Sequence, residues 1–357
     1  MLAFSCNNCG QLVFFENTGC LHCGAPLGVV PFLGVVAFEQ EPTEGTYRII
    51  GDTGGRRFAR CANADRLTCN WMVDAEEAGA QCRSCRLTRT LPNDDDPAAV
   101  EPLMVAEEAK RRLVYQLDVL GLPVVDRTQD PEFGLAFDLL SSRDVPVTTG
   151  HADGVITIDL AESDDVHRAG VAQAMGEAYR TMLGHMRHEI GHYYWQVFAR
   201  DPEVLGRIRD VFGDDTIDYA EALQRHYGDD GPPPGWEDRY VSAYATTHPW
   251  EDWAETFAHY LHIRGTLQTA AAYGVVVTGP AAVSGSDGEL LSSFPRDESL
   301  ERLPFDDILA DWLPLTYALN ELNRAMGRPA LYPFVLAPQV VAKLDLVHRL
   351  VAHGSNP

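Results

Sequence analysis

All eight cysteines of this 357-residue chain lie between positions 6 and 85. No other feature restricts the fold as strongly. Cys6-Asn-Asn-Cys9-Gly and Cys20-Leu-His-Cys23-Gly are two CxxC-Gly knuckles. Each can aim two thiolates at one ion while glycine permits the tight backbone, so together they predict a closed tetrahedral four-cysteine site. Zinc is the expected metal, and a rubredoxin-like iron site would use similar knuckles. Cys61, Cys69, Cys82 and Cys85 form a less regular second set. They predict a second structural zinc, the alternative being that Cys61 and Cys69 are buried thiols. The segment has too little apolar content to fold on burial alone, so bound metal supplies its stability.

Between the cysteine sets, Phe32–Phe38 and Thr46–Ile50 read as short strands, and Gly51–Gly55 reads as a turn. The reading is therefore a small β-rich zinc-ribbon domain over residues 1–90. Arg83, Arg86 and Arg89 put a small basic patch beside the second set. It is a candidate surface for an acidic protein partner or RNA, weighed against the favoured reading of an ordinary solvated face.

Charge separates this quarter from the rest. Residues 1–90 hold 8 basic and 9 acidic side chains, leaving 20 against 43 in the remainder. That negative field disfavours nucleic acid and anionic membrane as partners. The longest apolar run, Gly28–Phe38, is too short for a bilayer span and contains Pro31. The N-terminus has no basic n-region and no extended apolar h-region, so the sequence reads as cytoplasmic. In that compartment CxxC pairs point to metal rather than to disulfides.

Residues 91–104 are acidic and Pro-bounded and read as a linker, followed by a helix over Ala106–Leu120. Phe133–Leu140 and Gly154–Leu160 read as strands, with His151 in a polar loop between them. Residues 105–357 are thus expected to form one α+β domain.

Its centre is the helix predicted over Tyr179–Phe198, which carries His188-Glu189-Ile190-Gly191-His192. Residues four apart on a helix differ by about 40° of rotation, so both imidazoles can reach one ion. Glu189 would stand beside the first ligand as general base. A catalytic zinc needs a third protein ligand and an open position for water. Downstream, Pro249, Glu251 and Asp252 make a sound helix start. Glu255 on that helix is the favoured third ligand, with Glu251 the alternative on the same face. His259 is a lesser candidate, and His248 and Tyr244 are the nearest candidates for a transition-state donor. Gly274–Pro295 is Gly/Ser-rich and reads as a loop, a candidate lid. Helices are expected near Phe305–Ala325 and Pro338–Val351.

His-Glu-Ile-Gly-His-Tyr-Tyr-Trp and Ala-Glu-Thr-Phe-Ala-His-Tyr-Leu resemble the two motif helices of gluzincin metallopeptidases. Over nearly its whole length the chain is similar to bacterial zinc-binding metallopeptidases with an N-terminal zinc-ribbon region. That resemblance implies a zincin-like fold, His188, His192 and Glu255 as ligands, and Glu189 as base. It implies three zinc ions, one catalytic and two structural, and a peptide or protein substrate. Two other functions stay open at this point. One is hydrolysis of a non-peptide amide; the other is an interaction protein whose zincin domain is structural.

Overall fold

The computed structural model describes residues 3–354, apart from 44, 94–95, 144, 165–166, 169, 171–180, 229–230 and 278–302. The chain divides into two compact units, Met1–Asp164 and Asp165–Pro357.

The first unit begins with the cysteine knuckles. β1 (Phe4–Ser5) and β2 (Leu12–Val13) pair antiparallel, with Cys6 and Cys9 in the turn between them. A five-stranded antiparallel sheet follows: β3 (Leu27–Val30), β4 (Gly34–Gln40), β5 (Tyr47–Ile49), β6 (Arg57–Arg60) and β7 (Met72–Asp74), in sequence order. Val30, Phe38, Phe58 and Met72 form its small core. The expected strand over Phe32–Phe38 starts two residues late, because Phe32 takes a positive φ of 65° in the β3–β4 turn. Gly34, at φ 80°, has no Cβ that would overlap the Phe4 ring. Phe4 and Phe15 can therefore pack against Tyr115 of the following helix.

After α1 (Arg83–Arg86), β8 (Thr88–Thr90) runs parallel to β9 (Ala136–Leu140). β9 is parallel to β11 (Val155–Asp159), which pairs antiparallel with β10 (Gly150–Ala152). Residues 150–152, expected in a loop, thus form an edge strand. His151 is therefore a strand residue, and its Nε2 accepts from the Gly154 N–H of the turn that follows. Helix α2 spans Val100–Val119 and begins six residues before its expected start. The prolines that suggested a linker sit at a short 3-10 turn (Pro97) and in the first helical turn (Pro102). A missing N–H costs nothing at such positions. α2 buries Leu103, Ala106, Leu113, Val114 and Leu117. The expected basic patch is largely neutralised within this unit, Arg83 pairing with Asp118 and Arg89 with Asp138.

The second unit is helical: α3 (Met182–Phe198), α4 (Pro202–Phe212), α5 (Tyr219–Tyr227), α6 (Pro249–Ala272), α7 (Phe305–Ala325) and α8 (Pro338–Gly354). The Thr181 hydroxyl caps α3 by accepting from Gly184 N–H, and Asp201 and Asp218 cap α4 and α5 in the same way. Residues 179–180 of the expected helix, and the candidate lid from 278 onward, lie outside the described residues. α7 and α8 match their sequence expectations, α8 running three residues further. α3 and α6 form the heart of this unit: Met186 and Ile190 are fully buried, Tyr194 stacks on Phe257, and Trp195 meets Trp253 edge-on. Among the described residues no helix is long and apolar enough to cross a membrane.

Candidate metal centres

Two clusters in the first unit have the chemistry of closed thiolate sites. Cys6–Cys23 and Cys9–Cys20 Sγ separations are 3.7 and 3.6 Å. In the second cluster Cys69–Cys82 and Cys69–Cys85 are 3.7 and 3.6 Å apart. Disulfide sulfurs would stand at about 2.05 Å, whereas four thiolates at about 2.3 Å from one zinc stand roughly 3.8 Å apart. The spacing fits the metal and not the covalent bond. All four members of the second set are buried together, so Cys61 and Cys69 belong to the cluster. Backbone N–H groups of Asn63 and Cys82 point at Cys61 Sγ, at 3.4 and 3.2 Å. Such donors favour a thiolate. α1 forms part of this knuckle, with the Cys82 sulfur accepting from Cys85 N–H at its N-terminus.

The third cluster is in the second unit, where α3 and α6 cross. On α3, His188 and His192 point the same way, their Nε2 atoms 3.1 Å apart. On α6, Glu251 brings Oε2 to 3.0 Å from His188 Nε2 and 3.4 Å from His192 Nε2. The three atoms stand at the roughly 3.3 Å spacing that tetrahedral bonds of about 2.05 Å would impose. All three residues are buried, and Glu251 Oε2 receives no hydrogen bond. A buried carboxylate oxygen with no donor is costly unless a cation meets it. The residues present therefore fit a zinc ion.

Glu255 stands elsewhere. One turn further along α6, its Oε1 lies 2.7 Å from His188 Nδ1, the ring nitrogen turned away from the cluster. Ser242 Oγ donates to Glu255 Oε2 at 2.6 Å. A carboxylate on the outer nitrogen fixes the imidazole's tautomer and orientation. Burial pushes the Glu255 carboxyl up, but the hydrogen bond and charge of His188 outweigh it and hold the group down at about 2. Burial likewise pushes His188 down, and the Glu251 and Glu255 carboxylates raise it well above its ordinary value. Metal entering this site would therefore displace a proton.

Glu189 is buried beside the cluster, with His185 Nε2 3.1 Å from its Oε1. Its other oxygen, Oε2, has no hydrogen-bond partner. Burial pushes this carboxyl up, and the His185 hydrogen bond with the nearby imidazoles more than reverses that. Glu189 is thus held as an anion with one oxygen anchored and one available.

The remaining expected residues are placed differently. His248 is the N-cap of α6: its Nδ1 accepts from Trp250 N–H, and its Nε2 lies 3.2 Å from Ile217 O. Both ring nitrogens thus face backbone groups. Tyr244 lies closer, its ring 5.8 Å from that of His188, with burial pushing its phenol strongly up so that it keeps its proton. His259 is not part of the cluster, and its Nδ1 lies 2.6 Å from Tyr332 Oη.

Three contributors were not singled out from the sequence. His185 sits one turn before Glu189, and helical spacing could have found it. Ser242 lies 13 residues before Glu255, and Tyr219 lies 32 residues before Glu251. Tyr219 Oη donates to Glu251 Oε1 at 2.7 Å, and no sequence signal marks it.

Residues 100–350 match the family model described as "Putative zinc-binding metallo-peptidase", and residues 3–96 match a zinc-ribbon domain. Curated relatives include uncharacterized proteins of Mycobacterium bovis and of two Mycobacterium tuberculosis strains, CDC 1551 and H37Rv. Each is 47% identical over 352 residues, covering 98% of this chain and 95% of the relative. No solved structure matches the chain.

Proposed function

The chain belongs to the zinc-binding metallo-peptidase family, and from that premise we propose that it hydrolyses peptide bonds at the cluster of His188, His192 and Glu251. Family membership supports a zinc-dependent hydrolase in general. The observation that carries the finer reading is the meeting of two imidazole nitrogens and one donor-free carboxylate oxygen beside the anchored Glu189.

In this reading His188, His192 and Glu251 hold the zinc, and Glu255, with Ser242 behind it, orients His188. Zinc bound there would supply Lewis acidity and lower the pKa of water towards about 7. Glu189 takes the water proton on Oε2 while His185 holds Oε1, and it then returns that proton to the leaving amine. Tyr244, protonated and close to His188, is the donor for charge developing on the carbonyl oxygen. The two cysteine clusters are closed and serve the first unit's stability rather than the chemistry. In terms of function, the chain reads as a ribbon over 1–90, a connection over 91–104 and the peptidase region over 105–357.

The deciding experiment combines metal analysis with turnover on a peptide library. Wild-type chain should carry about three zinc per molecule, and His188→Ala about two. Glu189→Gln should keep all three and lose about 10²–10⁴-fold in turnover. Cleavage of small amides but no peptides would replace the substrate class. Unchanged turnover in Glu189→Gln would remove the mechanism.

A further inference from the structure

The carboxylate that faces the two imidazoles is held at both ends. Glu251 Oε2 points to the His188 and His192 Nε2 atoms, while Oε1 accepts from Tyr219 Oη at 2.7 Å. Glu251 is almost fully buried, so no bulk water competes for Oε1. A phenol donating to a carboxylate in such a place makes one of the stronger classes of hydrogen bond.

The segment carrying Tyr219 is itself fixed to the start of α6. His248 Nε2 lies 3.2 Å from Ile217 O, and the Tyr219 ring packs against His248 and Trp250 with centroids 5.4 and 6.0 Å away. Trp250 in turn lies against His192, ring centroids 3.8 Å apart. The Asp218 side chain caps α5 through Glu221 N–H, fixing the turn from which Tyr219 projects. The buried His248 thus pins the backbone two residues before Tyr219.

We propose that Tyr219 is a positioning residue of the metal centre, occupying Glu251 Oε1 so that only Oε2 is presented to the ion. This rests on the reading of His188, His192 and Glu251 as ligands. A carboxylate with both oxygens free can chelate a divalent cation, and hard oxygen donors readily do so. Chelation by Glu251 would fill the position that a hydrolytic site must leave open. The Tyr219 hydroxyl removes that option without adding charge. Partners of this kind, one bond removed from the metal, typically set affinity by 10–100-fold.

The test uses the full-length chain and Tyr219→Phe, which keeps the ring packing on His248 and Trp250 and deletes only the hydroxyl. Zinc affinity of the third site is read by competition with a chelator. Cobalt(II) substitution reports coordination number at that site, because four-coordinate cobalt absorbs far more strongly than five-coordinate. Tyr219→Phe should lower affinity about 10–100-fold and weaken the non-thiolate cobalt bands. Combined with Glu251→Gln, it should cost nothing beyond Glu251→Gln alone, since Tyr219 acts through that carboxylate. Wild-type affinity and spectrum in Tyr219→Phe would overturn the proposal, as would additive losses in the double variant. Failure of the ligand reading looks different: the wild-type chain would bind two zinc, or His188→Ala would retain the third.

Discussion

Trp253 Nε1 donates to the carbonyl oxygen of Gly191 at 2.8 Å, tying α6 to α3 inside the HExxH segment itself. Gly191 makes that approach possible. A Cβ there would stand 2.9 Å from Ala254 Cα and 3.1 Å from its carbonyl oxygen, so backbone would have to move. Gly191→Ala is expected to destabilise the second unit by about 1–3 kcal/mol through overpacking. It should also separate Glu251 from the two imidazoles. Thermal denaturation and zinc content measure the two effects. A variant with unchanged stability and full metal content would show that the helices do not meet this closely.

The roles of the two glutamates are separable. Glu251→Gln should give up the third zinc at a chelator concentration where Glu255→Gln, about 10–100-fold weaker than wild type, still holds it. Zinc stoichiometry with chelator competition distinguishes them. Loss of the ion from Glu255→Gln alone would restore Glu255 as the ligand.

The cysteine clusters differ in access. Cys9 and Cys23 reach solvent, whereas Cys61, Cys69, Cys82 and Cys85 are all buried. Zinc should therefore leave the first cluster for a chromogenic chelator faster than the second. Cys9→Ser should abolish the fast thiolate phase and leave the slow one. If Cys61→Ser abolishes the fast phase instead, burial does not control release.

Asp118 gives the first unit a pH dependence. Burial pushes its carboxyl up to about 6, against the opposing charge of Arg83. In the unfolded chain it ionises near 3.9, so between those values the folded state binds more protons. Its contribution to stability is full below about pH 4 and is lost as pH rises through 6. Asp118→Asn keeps an acceptor for Arg83 and removes the titration. The difference in Tm between Asp118→Asn and wild type should shift in the variant's favour from pH 4 to pH 8. A difference constant across that range would contradict the buried, titrating carboxyl.

Much of this protein is written in short spacings. CxxC knuckles set two sulfurs on one turn, and His188 and His192 share a helix face at four-residue spacing. The apolar periodicity of α7 and α8 needs no distant partner to be read. These patterns are local because backbone geometry over three to five residues decides where such side chains point. Sequence alone places the start of α2 six residues late, since proline is as compatible with a first helical turn as with a linker. Glu251 and Glu255 share one face of α6, so spacing could not choose between them. Their different placement follows from the close approach of α3 and α6 at Gly191, with Glu251 near both Nε2 atoms and Glu255 beside His188 Nδ1. His248 caps its own helix through the Trp250 N–H two residues on, and Tyr219 reaches Glu251 from a separate turn. Residue types and helix faces follow from the order of residues alone; which oxygen meets which nitrogen is set where two helices and a distant turn come together.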